Sequence, residues 1–128
     1  MARRASKQPT DGELEILHVL WDGGPSSLGE ICEALRQKRQ VATTTVATVL
    51  NVMLDKKLVK RSSSQRGYRW SAKVSRQRAA EGLVGNLLDR VFDGSAHRLV
   101  THLLEAGQLT KKEQAELKRL LDSDRKNT

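Results

Sequence analysis

Aromatic residues make up only 3% of the 128-residue chain: two Trp, one Tyr and one Phe. So sparse a set argues against a surface that stacks successive unpaired bases on exposed rings. The single cysteine, Cys32, rules out an internal disulfide framework and a four-cysteine zinc site. No apolar run approaches the roughly 20 residues that span a bilayer. Nor does an apolar stretch follow the basic opening MARRASKQPT, as a secretory signal would require. The expected compartment is therefore the cytosol. Gly-rich phosphate loops, nucleophile–base pairs and histidine–carboxylate metal spacings are also missing. His18, His97 and His102 form no usual ligand motif, and Cys32 falls on an apolar helix face. Neither an enzyme nor a cofactor, metal or small-molecule substrate is expected.

Acidic residues are scarce in one segment only. The chain carries 23 Lys+Arg against 15 Asp+Glu, a net charge of +8. Between Leu35 and Arg78 lie twelve basic residues and a single acid, Asp55, so the remainder is slightly acidic. Such a block either meets a polyanion or is a solvated surface, and composition alone does not choose between them.

Local signals divide the chain. Residues 1–9, with Arg3, Arg4 and Lys7, lack apolar periodicity and read as a flexible basic arm. Thr10-Asp11-Gly12-Glu13 matches a capping box, so a first helix starts at Thr10 and Gly23-Gly24-Pro25 ends it. A second box, Ser27-Leu28-Gly29-Glu30, opens a helix with Leu28, Ile31, Cys32 and Leu35 on one side. A third helix is predicted over about Ala42–Lys57. Val46, Val49, Leu50, Met53 and Leu54 form its apolar stripe, and Thr44, Thr48, Asn51 and Asp55 its opposite face. Leu58–Ser64 and Tyr68–Ser71 around Gln65-Arg66-Gly67 read as a β-hairpin. Its Tyr68 and Trp70 share a strand face able to cover the helices, leaving Lys60, Arg61, Arg66 and Arg69 for solvent or ligand.

Beyond Lys73 three helices are expected. The first carries Leu83, Val84, Leu87, Leu88, Val91 and Phe92. Gly94-Ser95 then separates it from a second with Leu99, Val100, Leu103 and Leu104. A third capping box, Thr110-Lys111-Lys112-Glu113, opens the last, with Leu117, Leu120 and Leu121 turned inward. These helices hold too much apolar face to sit exposed and too few residues for a core of their own, so a second copy is expected to cover them.

Three helices followed by a basic hairpin make a winged helix-turn-helix, here with an α-helical dimerisation domain behind it; the fold class is mainly α. The third helix presents small hydrogen-bonding side chains on a surface narrow enough for a major groove, and the hairpin arginines suit backbone phosphates. Double-stranded DNA is the partner this predicts. A winged-helix module that binds protein without specific DNA readout is the alternative, and salt dependence separates the two.

At this point the chain resembles the penicillinase-repressor group of bacterial transcriptional regulators, the BlaI/MecI/CopY family. The matching stretches are Asp11-Gly12-Glu13-Leu14-Glu15-Ile16-Leu17 with Leu20-Trp21, Thr43-Thr44-Thr45-Val46-Ala47-Thr48-Val49-Leu50, Leu58-Val59 and Tyr68-Arg69-Trp70. Gly94-Ser95, Leu99-Val100 and Leu117-Lys118-Arg119-Leu120-Leu121 follow in order. The resemblance implies a homodimeric repressor at a near-palindromic operator, with a winged-helix domain over 10–72, a dimerisation domain over 73–122 and a tail over 123–128. It puts DNA contacts on Thr43, Thr44, Ala47, Thr48, Asn51 and Arg66, beside the hairpin's Arg61. Dimerisation falls to Leu83, Leu87, Val91, Leu99, Leu103, Leu117, Leu120 and Leu121. Val52 stands where better-known members often carry arginine, and Lys57 replaces a common helix-ending glycine, so their operator cannot be borrowed. In the antibiotic-resistance branch, induction resembles proteolysis by a membrane sensor metalloprotease; the matching junction is His102–Leu103. The copper branch's C-terminal cysteine cluster has no counterpart over Asp122–Thr128.

Overall fold

The structure is a computed structural model that describes residues 8–126. Most of the basic arm, including Arg3, Arg4 and Lys7, lies outside the described residues. The chain divides into two compact units, one up to Val84 and one from Gly85.

The first unit contains α1 (Asp11–Gly23), α2 (Leu28–Arg36), α3 (Thr43–Asp55), β1 (Val59–Ser64), β2 (Gly67–Ala72) and the opening turns of α4 (Arg76–Val91). Both capping boxes form. The Thr10 hydroxyl accepts from Glu13 N–H at 3.3 Å, and Glu13 accepts from Thr10 N–H at 2.9 Å. Ser27 and Glu30 repeat the exchange at 3.1 and 3.0 Å. Two amides otherwise orphaned at each helix start are thereby satisfied. Gly24, at φ 75°, ends α1 with its N–H on Leu20 O.

One apolar face of each helix meets the others. Ile16, Leu17 and Leu20 from α1, Ile31, Cys32 and Leu35 from α2, and Val46, Leu50 and Met53 from α3 are all buried. Leu58, Val59 and Trp70 close this core from the hairpin. At about 1.5–3 kcal/mol for each large side chain taken from water, this shared core dominates the unit's stability. A partly buried ion pair ties α1 to the end of α3: Lys56 Nζ, just after α3, lies 2.7 Å from the Glu13 carboxylate and 3.0 Å from Gln8 O. Glu13 thus caps α1 and anchors the far end of α3 at once.

The hairpin pairs β1 and β2 antiparallel, with Ser64 opposite Gly67 and Arg61 opposite Trp70. Gln65-Arg66 is its two-residue loop, and Gly67 takes φ 109°, a conformation that favours glycine. At its base, Trp70 and Ser26 exchange two backbone hydrogen bonds of 2.7 and 2.8 Å. Trp70 is buried, but Tyr68 is 48% exposed. The expectation that both rings cover the helices therefore holds for Trp70 alone: Tyr68 stands two residues nearer the tip, beyond the packed part of the strand.

In the second unit α4 ends near Gly94, whose φ of 76° turns the chain and whose N–H reaches Leu88 O at 2.8 Å. Ser95 caps α5 (Ala96–Glu105) through Arg98 N–H. Thr110 and Glu113 form the third capping box at the start of α6 (Lys111–Lys126). The latter runs through most of the expected tail, since Ser123-Asp124-Arg125-Lys126 contains no glycine or proline to stop it. Among the described residues from Gly85 onward no side chain is buried. Leu120 and Leu121, expected inward, are each 66% exposed, because nothing within this unit reaches them.

Candidate nucleic-acid interface

The outward face of α3 follows from its periodicity. With Val46, Leu50 and Met53 buried, Thr44, Thr48, Asn51 and Asp55 are exposed, one or two turns apart. Thr43 is exposed beside them and Ala47 half-buried at the edge of the row. Thr48 Oγ1 donates to Thr44 O at 2.9 Å. Its hydroxyl proton is therefore spent within the helix, leaving lone pairs and a methyl group for a partner. Among the described residues the side chains of Thr44 and Asn51 make no hydrogen bond, so their donors and acceptors face solvent. Val52 adds an apolar patch to the same exposed side of the helix.

The start of α3 differs from every other helix start. Side-chain oxygens of Thr10, Ser27, Ser75, Ser95 and Thr110 accept from amides at the openings of the other five helices. Ala42, the residue preceding α3, has no side chain able to do so. The first amides of α3 thus keep their donor capacity and its positive helix end stays open. Arg36 braces the preceding turn, donating to Val41 O at 3.2 Å and to Thr43 Oγ1 at 2.8 Å. Sequence reasoning missed this brace, since an arginine seven residues before a threonine carries no local motif.

The basic segment resolves into two populations. Five of its twelve cations are held within the fold: Arg36 by the turn, Arg39 by Glu15 at 2.9 Å, Lys56 by Glu13, Arg69 by Pro25 O and Glu30, and Arg76 by Asp22 at 2.6 Å. Arg69, expected to be available for ligand, is thereby a structural clamp; its guanidinium reaches Pro25 O at 2.6 Å. The carboxylates respond. The Arg39 hydrogen bond holds the Glu15 carboxyl below its ordinary range, and the Ser27 backbone and side chain, with Arg69 behind them, do the same for Glu30. Lys38, Lys57, Lys60, Arg61, Arg66, Lys73 and Arg78 have no side-chain hydrogen bond or ion pair among the described residues. Arg61 and Arg66 lie in the hairpin, Arg66 at its tip. Each predicted DNA-contact residue therefore falls on α3 or the hairpin, and all but Ala47 are exposed.

The penicillinase-repressor family profile matches residues 9–123. The chain belongs to the penicillinase-repressor family. It is 32% identical to the transcriptional regulator BlaI of Mycobacterium tuberculosis, over 73% of this chain and 71% of that one. It is 22% identical to the penicillinase repressor of Staphylococcus aureus over 86% and 87% of the two chains. Among solved structures, the Bacillus licheniformis BlaI monomer in complex with the blaP half-operator aligns with a TM-score of 0.49 and 20% identity, covering 56% of this chain and 87% of that one. The penicillinase-repressor family consists of transcriptional repressors, not enzymes.

The residues expected at a dimer contact lie on α4, α5 and α6, and none of them is buried. Leu87, Val91, Leu117, Leu120 and Leu121 are exposed, and Leu83, Leu99 and Leu103 half-buried. His102 is exposed in α5, its ring 5.8 Å from that of Phe92. Among the described residues no helix is long and apolar enough to cross a membrane.

Proposed function

We propose that this member of the family is a homodimeric repressor that binds a near-palindromic double-stranded operator through α3 and the hairpin wing. The observation that carries the reading is α3 itself: a small, hydrogen-bonding face on which Thr44 and Asn51 keep their side-chain donors and acceptors, opening from a helix start without a cap. A helix of that width enters a major groove. There Asn51 suits an adenine edge, and Thr44, Thr48 and Ala47 suit thymine methyls and base acceptors or donors. The uncapped amides and Thr43 suit a phosphate, as helix N-termini do. Arg61 and Arg66 would position the wing on the backbone without reading sequence. The apolar residues of α4–α6 named above would bury themselves against a second copy, and the two bound half-sites would lie about one helical turn, or a multiple of it, apart.

Selection from a random duplex pool, followed by binding at several salt concentrations, tests the reading. A dimer neutralising ~6–10 phosphates should lose about 10³–10⁵ in affinity between about 50 and 200 mM salt. Thr44→Ala or Asn51→Ala should relax specificity by about 1–3 kcal/mol. Arg66→Ala should weaken specific and random duplexes alike and shallow the salt slope. No enriched sequence together with a weak salt response would instead favour a protein-binding module.

Relief of repression by a membrane sensor metalloprotease cutting at His102–Leu103 is the finer part of the proposal, supported by the family membership. Both residues lie within α5, so this segment must unwind before a protease can hold it extended. Blotting after inducer addition should reveal a fragment ending near residue 102; an intact chain during full induction would dismiss cleavage.

A further inference from the structure

The wing carries an aromatic row that the repressor reading leaves unexplained. Trp70 is anchored in the core, and the Tyr68 ring stands 6.5 Å from it at an interplanar angle of 65°. The guanidinium carbon of Arg61 lies 4.2 Å from the Tyr68 ring centre and 5.6 Å from that of Trp70. Strand register explains the convergence. Arg61 is opposite Trp70, and both backbone polar groups of Trp70 turn away to Ser26. Arg61 and Trp70 thus form a non-hydrogen-bonded pair, the kind whose side chains stand closest, with Tyr68 on the diagonal.

This arrangement gives Arg61 a different status from Arg69 on the opposite strand face. Arg69 has its N–H groups on Pro25 O and Glu30. Arg61 is held by its place over the Tyr68 ring alone, with no hydrogen bond or ion pair among the described residues. A guanidinium stacked on a ring keeps its N–H edge available, and that edge is the part that grips a phosphate. Tyr68 explains itself in the same terms: nearly half exposed and with no hydrogen bond among the described residues, it touches the cation rather than a core.

We propose that Tyr68 is a positioning residue of the wing, which holds the Arg61 guanidinium over its ring, beside Trp70, so that its N–H groups are ready for a DNA phosphate. The proposal rests on the DNA-binding reading but not on any particular operator, because a phosphate contact is independent of sequence. Binding to Arg61 then costs less conformational freedom than it would to an arginine free on an open strand.

A double-mutant cycle on the full chain with a random-sequence DNA duplex tests it. Tyr68→Leu should weaken binding by roughly 3–10-fold. Arg61→Ala should weaken it at least as much, and the double variant no more than Arg61→Ala alone. Tyr68→Phe, which keeps the ring and loses the hydroxyl, should bind as the parent does. Arg61→Lys, which leaves Tyr68 in place, should lose affinity despite keeping its charge, because an ammonium does not lie flat on a ring. Additive losses in the cycle would overturn the proposal, as would Tyr68→Phe losing as much as Tyr68→Leu, or Arg61→Lys binding like the parent. A parent chain that binds no duplex would overturn the repressor reading itself and this proposal with it.

Discussion

At the scale of single residues, Lys57 and Glu30 show how backbone and charge constrain this chain. Lys57 takes φ 64° just after α3, and around it the motif typical of a glycine helix end is complete: Leu58 N–H reaches Met53 O at 2.9 Å and Lys57 N–H reaches Leu54 O at 3.1 Å. A side chain is disfavoured in that conformation, and the Lys57 side chain makes no hydrogen bond or ion pair among the described residues in return. Lys57→Gly should therefore stabilise the chain by about 0.5–1 kcal/mol, read as a higher urea midpoint. Glu30 acts through its charge. Its carboxyl is held low in the folded chain, so its contribution is complete above the ordinary value of 4.5 and is lost as pH falls through the lower folded one. Glu30→Gln keeps an acceptor for the cap but cannot titrate. Between about pH 6 and pH 3 the variant should lose less stability than the parent, as measured by denaturant unfolding. The sequence announces Glu30, because its cap partner is three residues away. It conceals the second task of Glu13, whose partner Lys56 is brought to it only by the packing of α1 against α3.

At the scale of elements, the contrast between α3 and its neighbours is the telling one. Capping boxes, glycine stops and the 3.6-residue stripe lie within a few positions, which is why α1, α2, α3 and the hairpin are legible from the chain alone. Period-2 alternation puts Tyr68 and Trp70 on one strand face, but it cannot tell how far the helices extend beneath that face. Strand spacing likewise says nothing of Pro25 O, which captures Arg69. The missing cap on α3 was visible as Ala42, yet its meaning emerges only beside five helices that have one. Ala42→Ser should supply the absent acceptor and stabilise the protein by about 0.5–2 kcal/mol, seen as a higher melting temperature. It should at the same time weaken operator binding, since the new hydroxyl competes for the amides that would hold a phosphate. Stability and affinity rising together would assign those amides no part in binding.

At the scale of the whole molecule, the two units divide the work of folding differently. The first closes a core from three helices and a hairpin; the second leaves its leucines in water, Leu120 and Leu121 most of all. Exposed apolar surface of this extent on short helices calls for a partner surface. If that partner is a second copy, thermal stability should rise with protein concentration. Leu120→Glu with Leu121→Glu should reduce the mass measured by light scattering to that of one chain. Unchanged mass would place the contact elsewhere. The sequence disclosed the apolar stripes of these helices but not their orientation, because a stripe specifies a face and not what covers it.

The exchange of two hydrogen bonds between Ser26 and Trp70 also has a consequence in time. It adds a single bridge of pairing at the root of the wing and none at Gln65-Arg66. The Trp70 amide should then exchange with solvent deuterium only when the first unit opens as a whole, while amides at the tip exchange on the fast timescale of a loop. A wing built this way is stiff where it joins the helices and pliant where it would meet its partner. It can follow small differences in groove width without disturbing the helix that enters the groove.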